Sequence, residues 1–484
     1  MVPQETKIAG APPRARPAAI LFTMCMGIFI AQLDSSVVNL AAKSIGADLR
    51  ANVNGLQWVL DSYNLFYASL LLTGGTLSDL YGRRLLFLGG LAVFTLGSLA
   101  CGFAPNMELL ILGRSVTGVG AAILLPSSLA ILTVAYPDAK ERAWAISIWA
   151  SCNGLAFTIG PTIGGLLIEW IGWRSIFLLV VPVSLWAFWR AFRCVPESSD
   201  PAGRRLDLPG QILAVMALSA LTLVATEGPH WGWHSTMTGL AAGIGLAAGA
   251  SFLAVESKAG QGAMIPLDLF RNRVFSAAVA VTTLMTFGMY GFLFLMPLYF
   301  QVMRGADTMT AGLELAPMAF AFFVVSRSVG KLVSRIGPQL ATTLGMTAMG
   351  SGLVALSAMS GTAPLWLVEA AMLTIGIGLG LNTGPVLAVT VASIPANRSG
   401  MASGLGNTAR MVGATLGVAV LGAIYAVHGG VALDDGASTG AFLDGFRAAV
   451  FVGGMAELLG ALIAVAFIRR DSLERRVVAA EARS

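Results

Sequence analysis

Long apolar stretches of the sequence are interrupted by three ionisable residues, Asp34, Asp61 and Arg114. A charged side chain inside a bilayer costs from about 2.5 to more than 10 kcal/mol, so each needs a functional or structural reason. If the stretches are helices that rise about 1.5 Å per residue across a membrane, all three residues lie at nearly the same depth in the outer half. Two carboxylates and a guanidinium at one level predict a site that binds and releases a proton.

Desolvation gives such a site its chemistry. A carboxyl group in an apolar cavity favours its protonated form, whereas a nearby arginine favours the ionised form. The group can take up a proton from one side and release it when a cationic substrate needs the same negative charge. The plainer interpretation is that Asp34 or Arg114 only stabilises the helices, and that Asp61 lies in a wetter region.

Other charged residues in the apolar stretches are expected to have different roles. Arg327 and Arg410 lie about 12 to 14 Å from the inner end of their helices, where they can bind an anionic part of a substrate or pair with a carboxylate or lipid headgroup. Glu314 and Glu369 lie near outer ends and are predicted to be interfacial. Glu457 lies deeper, but in the last stretch, where we expect a peripheral position.

The composition explains why these charges lie in a membrane. Of 484 residues, 56% are hydrophobic and 11% are charged, against about 25% charged in soluble domains. The net charge of +5 forms no basic patch for nucleic acid, and the four cysteines show no metal-ligand or disulfide spacing. His230 and His234 are flanked by tryptophans, which predicts anchoring at the membrane interface rather than a metal site. We therefore expect no metal and no cofactor.

Fourteen runs are long enough, at about 20 residues, to cross a hydrocarbon core of about 30 Å. With the N-terminus in the cytoplasm, 22 of the 30 Lys and Arg residues fall in cytoplasmic segments, which predicts that both termini are cytoplasmic. The runs are 17–41, 53–77, 85–104, 106–134, 143–168, 174–192, 208–226, 237–255, 274–300, 309–330, 338–360, 363–390, 401–427 and 446–468.

An internal repeat divides these runs. Gly75, Leu77 and Gly82 recur at an offset of 255 residues as Gly330, Leu332 and Gly337. Two related halves are a common design of secondary transporters, so we predict an all-α membrane protein of two six-helix bundles plus two inserted helices. The predicted division is an N-terminal tail at 1–16, a first bundle at 17–192, a linker at 193–207, two additional helices at 208–255, a linker at 256–273, a second bundle at 274–468 and a C-terminal tail at 469–484, with tails and linkers cytoplasmic.

The loop after the second run carries a recognisable motif. It reads Gly75-Thr-Leu77-Ser-Asp79-Leu-Tyr-Gly82-Arg83-Arg84 and resembles the signature loop of the major facilitator superfamily, Gly-x-Leu-x-Asp-x-x-Gly-Arg-Lys/Arg. Further matching stretches are Leu33-Asp34-Ser-Ser-Val-Val-Asn39, Gln57-Trp58-Val-Leu-Asp61, Arg114-x-x-x-Gly118-x-Gly120, Gly160-Pro161-Thr-Ile-Gly164-Gly165 and Asn407-Thr-Ala-Arg410. Together they are similar to the fourteen-helix drug:proton antiporter branch, the multidrug exporters, which implies that fold and proton-driven export.

The signature loop is predicted to be a cytoplasmic gate. Gly75 and Gly82 allow helices to approach, and Asp79 can face the positive end of a neighbouring helix. Arg83 and Arg84 can then pair across the cytoplasmic face and hold one conformation closed. The alternative is that the two arginines only set the membrane orientation.

The fifth run carries small residues on one face. Gly160, Pro161, Gly164 and Gly165 allow close helix packing, and the proline removes one backbone hydrogen bond. Packing alone would explain the pattern. In the resembled family the motif accompanies exporters, which favours efflux.

The sequence thus predicts a proton-coupled secondary transporter that exports amphipathic or cationic toxic compounds across the bacterial cytoplasmic membrane. The alternative is a proton-coupled transporter of one metabolite, such as an organic acid or vitamin, with Arg327 or Arg410 as the recognition point. An enzyme or ATP-driven pump is disfavoured because no catalytic domain or Walker-type nucleotide loop is present. The expected partners are a small-molecule substrate, protons and the lipid bilayer, with a monomer as the functional unit.

Overall fold

The computed structural model describes residues 17–199, 207–259, 265–394, 399–429 and 439–468. Both predicted tails and parts of both predicted linkers, 200–206 and 260–264, lie outside the described residues, so the domain division stays a prediction. The helices are α1 Pro17–Leu49, α2 Val53–Tyr81, α3 Arg83–Gly102, α4 Met107–Ala135, α5 Ala139–Trp170, α6 Arg174–Cys194, α7 Leu208–Trp231, α8 Thr236–Ala259, α9 Arg273–Leu298, α10 Thr308–Ser357, α11 Leu365–Ala392, α12 Ser399–Gly429 and α13 Thr439–Phe467. A short 3-10 helix, Leu267–Arg271, precedes α9, and a π-helical turn, Tyr299–Met303, follows it.

Helix α10 accounts for two of the fourteen predicted spans. Its start is capped by Asp307, whose carboxylate accepts the backbone N–H of Thr310 at 2.6 Å; this hydrogen bond lowers the pKa of Asp307. Its 50 residues break at Gly337, where φ is 81° and ψ is 159°. The arms, 308–336 and 338–357, correspond to the predicted runs 309–330 and 338–360. The prediction of an all-α membrane protein with fourteen spans is confirmed.

Length and hydropathy identify most helices as membrane-spanning. Within the described ranges, eleven helices are long and apolar enough to cross a membrane, α10 among them. Helix α2 is not among these eleven. In α2 the reason is visible, because its buried residues include Gln57, Asp61 and Asn64. A helix with buried polar side chains is expected where helices bind substrate or protons rather than lipid.

The sequence repeat is also a repeat in backbone geometry. Gly82, between α2 and α3, has φ of 118°, and Gly337 has φ of 81°. Glycine adopts positive φ with little cost, whereas other residues are strained there. The second copy lacks the carboxylate of the first: Ser334 stands in place of Asp79, and its hydroxyl donates to the Lys331 carbonyl at 2.8 Å.

The helices pack into two halves that meet along three seams. In the first half α1 packs on α5 and α6, α2 on α4, and α3 on α4 and α6; in the second, α9 packs on α12 and α13, and α10 on α11 and α13. Across the halves, α2 packs on α12, α5 on α10 and α1 on α9. Glycines permit some of the closest approaches: a Cβ on Gly74 would lie 2.2 Å from the Ala122 carbonyl oxygen.

Hydrogen bonds between the halves lie toward the ends of the helices that the sequence predicts to face outward. Lys43 donates to the Gln301 carbonyl at 3.0 Å, and the Gln301 amide donates to the Leu40 carbonyl at 3.2 Å. The Gln57 amide donates to the Val418 carbonyl at 3.3 Å. These contacts join α1 to the π-helical turn after α9 and α2 to α12, so the two halves are hydrogen-bonded to each other near these helix ends.

The inserted pair is attached to α2. Helix α7 packs on α2 and α12, and α8 packs on α7. The Gln211 amide donates to the Ser69 carbonyl at 2.6 Å near one end of α7. Near the other end, Glu227 accepts from Trp58 at 2.7 Å and from Asn54 at 3.0 Å. Polar contacts therefore join α7 to α2 near both ends of α7.

We expect Gly82→Ala to destabilise the protein. The substitution places a Cβ at positive φ and 2.8 Å from Glu197 Oε1, which should cost about 1 to 3 kcal/mol. The matched control is Gly89→Ala in the next helix, because a Cβ there meets no atom within 4 Å and alanine favours helix by roughly 0.5 to 1 kcal/mol. Denaturation in SDS–detergent mixtures should move the two variants in opposite directions. Equal stabilities would contradict the assigned backbone geometry.

Candidate functional site

A buried ion pair joins α1 to α4. Arg114 Nη1 lies 2.5 Å from Asp34 Oδ2, and both side chains are 1% exposed. Arg114 Nε also donates to the Val59 carbonyl of α2 at 3.1 Å. The structure thus brings together two of the residues predicted from depth alone, and the arginine binds a third helix.

Aromatic rings cover the pair. The Arg114 guanidinium lies 4.4 Å from the ring centre of Tyr63 and 5.9 Å from that of Phe177. Rings at these distances attract a cation through their π faces and keep water from it. The Tyr63 hydroxyl donates to the Ala31 carbonyl at 3.4 Å, which connects the ring to α1.

The ion pair uses only one of the two carboxylate oxygens of Asp34. Its Oδ2 is bound by Arg114, whereas its Oδ1 is buried and has no hydrogen-bond partner among the residues that the structure describes. An unpaired oxygen on a buried carboxylate is costly and calls for a reason. A proton can bind at Oδ1 without displacing Arg114 from Oδ2, so the geometry suits a carboxyl that changes protonation state in place.

Asp61 does not share this arginine. It is fully buried, and its Oδ2 accepts from Thr226 of α7 at 3.5 Å. The interpretation of a single site formed by both carboxylates and Arg114 is therefore wrong in its geometry. Val59 and Tyr63, which contact Arg114, lie two residues before and after Asp61, and at about 3.6 residues per turn this spacing points Asp61 to the opposite side of α2. The position of a residue along its helix determines the depth of its side chain in the membrane, but it does not determine which neighbouring helix the side chain faces.

In the signature loop the ion pair is local. Arg83 donates to Asp79 Oδ1 from Nε at 2.9 Å and from Nη2 at 2.8 Å. The Arg84 guanidinium lies 5.0 Å from the ring centre of Phe192 on α6. Within the part of the chain that the structure describes, these contacts of both arginines lie in their own half, so the pairing of Arg83 and Arg84 across the cytoplasmic face stays a prediction.

Two further details of this loop differ from the sequence interpretation. The close helix approach belongs to Gly74, because a Cβ on Gly75 would lie at an ordinary 3.6 Å from Pro126. The carboxylate that caps a helix is Glu197, which accepts the backbone N–H groups of Arg84 and Leu85 at 3.0 Å each. A carboxylate at the first turn of α3 satisfies free backbone donors and opposes the positive end of the helix dipole.

The small residues of α5 pack first against α1. A Cβ on Gly160 would lie 2.0 Å from Ser36 Oγ, and one on Gly164 would lie 2.4 Å from Val37 Cγ1. Ser36 and Val37 follow Asp34 within one helical turn. This part of the motif therefore holds α5 directly against the helix that carries Asp34.

The same motif contacts the opposite half. A Cβ on Gly165 would lie 3.0 Å from Met309 Cα, and a Cβ on Gly312 of α10 would lie 2.5 Å from the Pro161 carbonyl oxygen. Helix α5 thus lies in close contact with both α1 and α10. The motif contributes to the seam between the halves, and packing explains each of its small residues.

The remaining charged residues have varied environments. Arg410 is half-buried on α12 and close enough to Tyr67 of α2 to interact with it electrostatically, whereas Arg327 is exposed. Glu314 and Glu369 are half-buried, and each has a buried oxygen without a partner.

Glu457 contradicts our expectation of a peripheral position. It is fully buried, with no partner at either oxygen among the described residues, and a Cβ on Gly288 of α9 would lie 2.5 Å from its Oε1. Helix α13 exposes other residues, such as Phe451 and Leu462, and Glu457 lies on the face that packs against α9.

The sequence analysis missed the polar residues of α7. The predicted run ended at residue 226, whereas α7 continues to Trp231 and so includes Glu227 and His230. His230 Nε2 lies 3.3 Å from the side-chain nitrogen of Asn52. The usable signal was the run of polar residues from Thr226 to His230 after an otherwise apolar stretch, but its partners on α2 are apparent only in three dimensions.

Two helical halves with a repeated glycine break, the first of which holds a buried carboxylate–guanidinium pair, are the architecture of a multi-pass membrane transporter. The sequence profile of the Major Facilitator Superfamily matches residues 24–418. The chain therefore belongs to the major facilitator superfamily, whose members transport small molecules.

Several relatives are resistance proteins. The chain is 38% identical over 401 residues to the multidrug resistance protein Stp of Mycobacterium tuberculosis, covering 83% of this chain and 74% of that protein. It is 32% identical over 478 residues to the methylenomycin A resistance protein of Streptomyces coelicolor, and the match covers 99% of this chain and 98% of that protein. It is 30% identical over 424 residues to the multidrug efflux pump LfrA of Mycolicibacterium smegmatis, and the match covers 87% of this chain and 84% of that protein.

Solved structures agree on the fold. A D-xylose–proton symporter superposes with a TM-score of 0.67 at 16% identity, over 93% of this chain and 98% of that chain. A bacterial homologue of the human drug peptide transporters superposes with a TM-score of 0.65 at 16% identity, over 95% of this chain and 99% of that chain.

We expect the single substitution Arg114→Met to destabilise the protein by about 3 kcal/mol, because it leaves a buried carboxylate without its partner. The double variant Asp34→Leu, Arg114→Met should recover most of the loss, since neither charge remains. SDS denaturation at neutral and acidic pH measures both effects, and the deficit of the single variant should narrow at acidic pH because a protonated carboxyl needs no counter-charge. Arg327→Met, at an exposed position, is the control. A double variant as unstable as the single one would contradict the pairing.

Proposed function

We propose that this protein exports lipophilic, amphipathic or cationic toxic compounds across the bacterial cytoplasmic membrane in exchange for protons. The observation that carries the proposal is the Asp34 carboxyl, bound to Arg114 through one oxygen and unpaired at the other. Proton and cationic substrate compete for this carboxyl. In the exchange that follows, a proton enters Asp34 from the outer side, and substrate arriving from the inner side promotes its release.

The names of the relatives support the choice of cargo. Stp is named a multidrug resistance protein and LfrA a multidrug efflux pump. Methylenomycin A resistance names one antibiotic. A substrate range of toxic compounds is therefore favoured over a single nutrient, and export over import.

The free energy released when one proton crosses the membrane is sufficient to drive export of one substrate molecule. Moving one charge down a potential of about 180 mV supplies roughly 4 kcal/mol. At 1.4 kcal/mol per factor of ten, this sustains a gradient of about a thousandfold for a neutral substrate. The proposal includes a monomer as the working unit, both termini in the cytoplasm, and the proton gradient as energy source in place of a bound cofactor.

We expect Asp34→Asn to abolish proton-driven uptake of ethidium into everted membrane vesicles, because an amide cannot exchange a proton. Binding of ethidium to the purified variant should persist or weaken. The matched control is Asp48→Asn on the same helix: its side chain is 47% exposed and pairs with Arg174, and exposed pairs contribute little. Vesicle fluorescence after an imposed pH gradient measures both.

Two results would overturn the proposal. Undiminished proton-driven uptake by Asp34→Asn would remove Asp34 from the coupling. Proton-coupled transport confined to one anionic metabolite, lost in Arg410→Gln, would favour a metabolite transporter instead.

A further inference from the structure

A large cavity lies between the inserted pair and the rest of the protein. It measures about 540 Å³, is open on one side, and is bounded by α7 and α8 together with α2 and α12. Its walls are almost entirely apolar, with Leu221 of α7 and Phe252 of α8 among them. Pockets that hold drug-sized ligands have volumes of about 300 to 1,000 Å³ and a mostly apolar lining.

Two hydroxyl groups in this apolar wall lack partners. Ser69 on α2 and Thr408 on α12 line the cavity, and Ser69 Oγ and Thr408 Oγ1 are both buried without a hydrogen bond. Ser69 is 8% exposed. A buried hydroxyl without a partner is unfavourable, so the pair points to a ligand with a polar group that bonds to them. A lipid acyl chain has no such group.

Helices α7 and α8 form the cavity wall on the side away from α2 and α12, and many of the residues that line it there are alanine or glycine. A Cβ added to Gly249 of α8, which lines the cavity, would meet no atom within 4 Å. A different face of α8 carries Ile244, which is 52% exposed, as expected of a helix that faces lipid. A molecule dissolved in the bilayer therefore needs to pass only α8 to reach the cavity.

We propose that this cavity is a second binding site for lipophilic substrate, formed by the inserted helix pair. The apolar body of the molecule lies between α7 and α8, and its polar group bonds to Ser69 and Thr408. Arg410 follows Thr408 by two residues and lies near Tyr67, so the site adjoins the seam between the halves. This inference rests on the proposed function, and it gives the two additional helices a role in collecting substrate from the membrane.

The test compares two glycines of α8. Gly249→Leu fills the cavity, whereas Gly243→Leu makes the same substitution at an exposed position that does not line it and is equally free of clashes. The full-length protein in nanodiscs is titrated with Hoechst 33342, a lipophilic fluorescent compound. We expect Gly249→Leu to weaken binding by about tenfold or more, because the added side chain occupies space that the ligand needs, and Gly243→Leu to bind like wild type. Equal affinities for the two leucine variants overturn the proposal, as does a wild type that does not bind the compound.

A second variant guards against misfolding. Ser69→Ala combined with Thr408→Val leaves the cavity volume nearly unchanged and should weaken binding by roughly three- to tenfold, as expected for lost hydrogen bonds. Native mass spectrometry tests whether lipid occupies the cavity instead. A phospholipid that wild type retains and Gly249→Leu loses, with Hoechst binding unchanged, would assign the cavity to lipid and overturn the proposal.

The proposed function can fail separately from this inference. Hoechst binding that depends on Gly249 in a protein without proton-driven transport would overturn the proposed function alone.

Discussion

The Asp34–Arg114 ion pair is buried at the junction of α1, α2 and α4 and fixes the arrangement around it. A charge there is tolerated only with a partner, and Arg114 satisfies its donors on Asp34 and the Val59 carbonyl. Tyr63 and Phe177 exclude water from the guanidinium. Among the described residues Asp34 Oδ1 has no hydrogen-bond partner, and the proposed proton exchange takes place at this oxygen.

The surrounding helices connect this pair to the seam between the halves. Helix α1 carries Asp34 and, one turn on, the residues that pack on Gly160 and Gly164 of α5. Helix α5 in turn packs against α10 of the second half. The proposed change in charge at Asp34 would therefore occur on a helix that packs against the boundary between the halves. Helix α2 gives a second route, because it contacts Arg114 on one face, α12 across the seam, and α7 through Asp61, Trp58 and Ser69.

The parts that could be predicted from the sequence are those set by length, polarity and local backbone. Span length and the glycine repeat predicted the fourteen helices and the break at Gly337, and depth predicted that Asp34 and Arg114 lie at one level. The face that a side chain presents depends on helix rotation, which packing decides, and so Asp61 was assigned to the wrong neighbours. Glu227 was missed because the end of an apolar run does not mark the end of its helix.

The central claim is that Asp34 carries the proton that is exchanged for substrate and releases it when substrate binds. Infrared difference spectroscopy of the purified protein, with and without tetraphenylphosphonium, measures this release directly through the carbonyl band of a protonated carboxyl group. The account predicts that the cation removes such a band in wild type and that Asp34→Asn lacks this change. An identical difference spectrum in Asp34→Asn would contradict it.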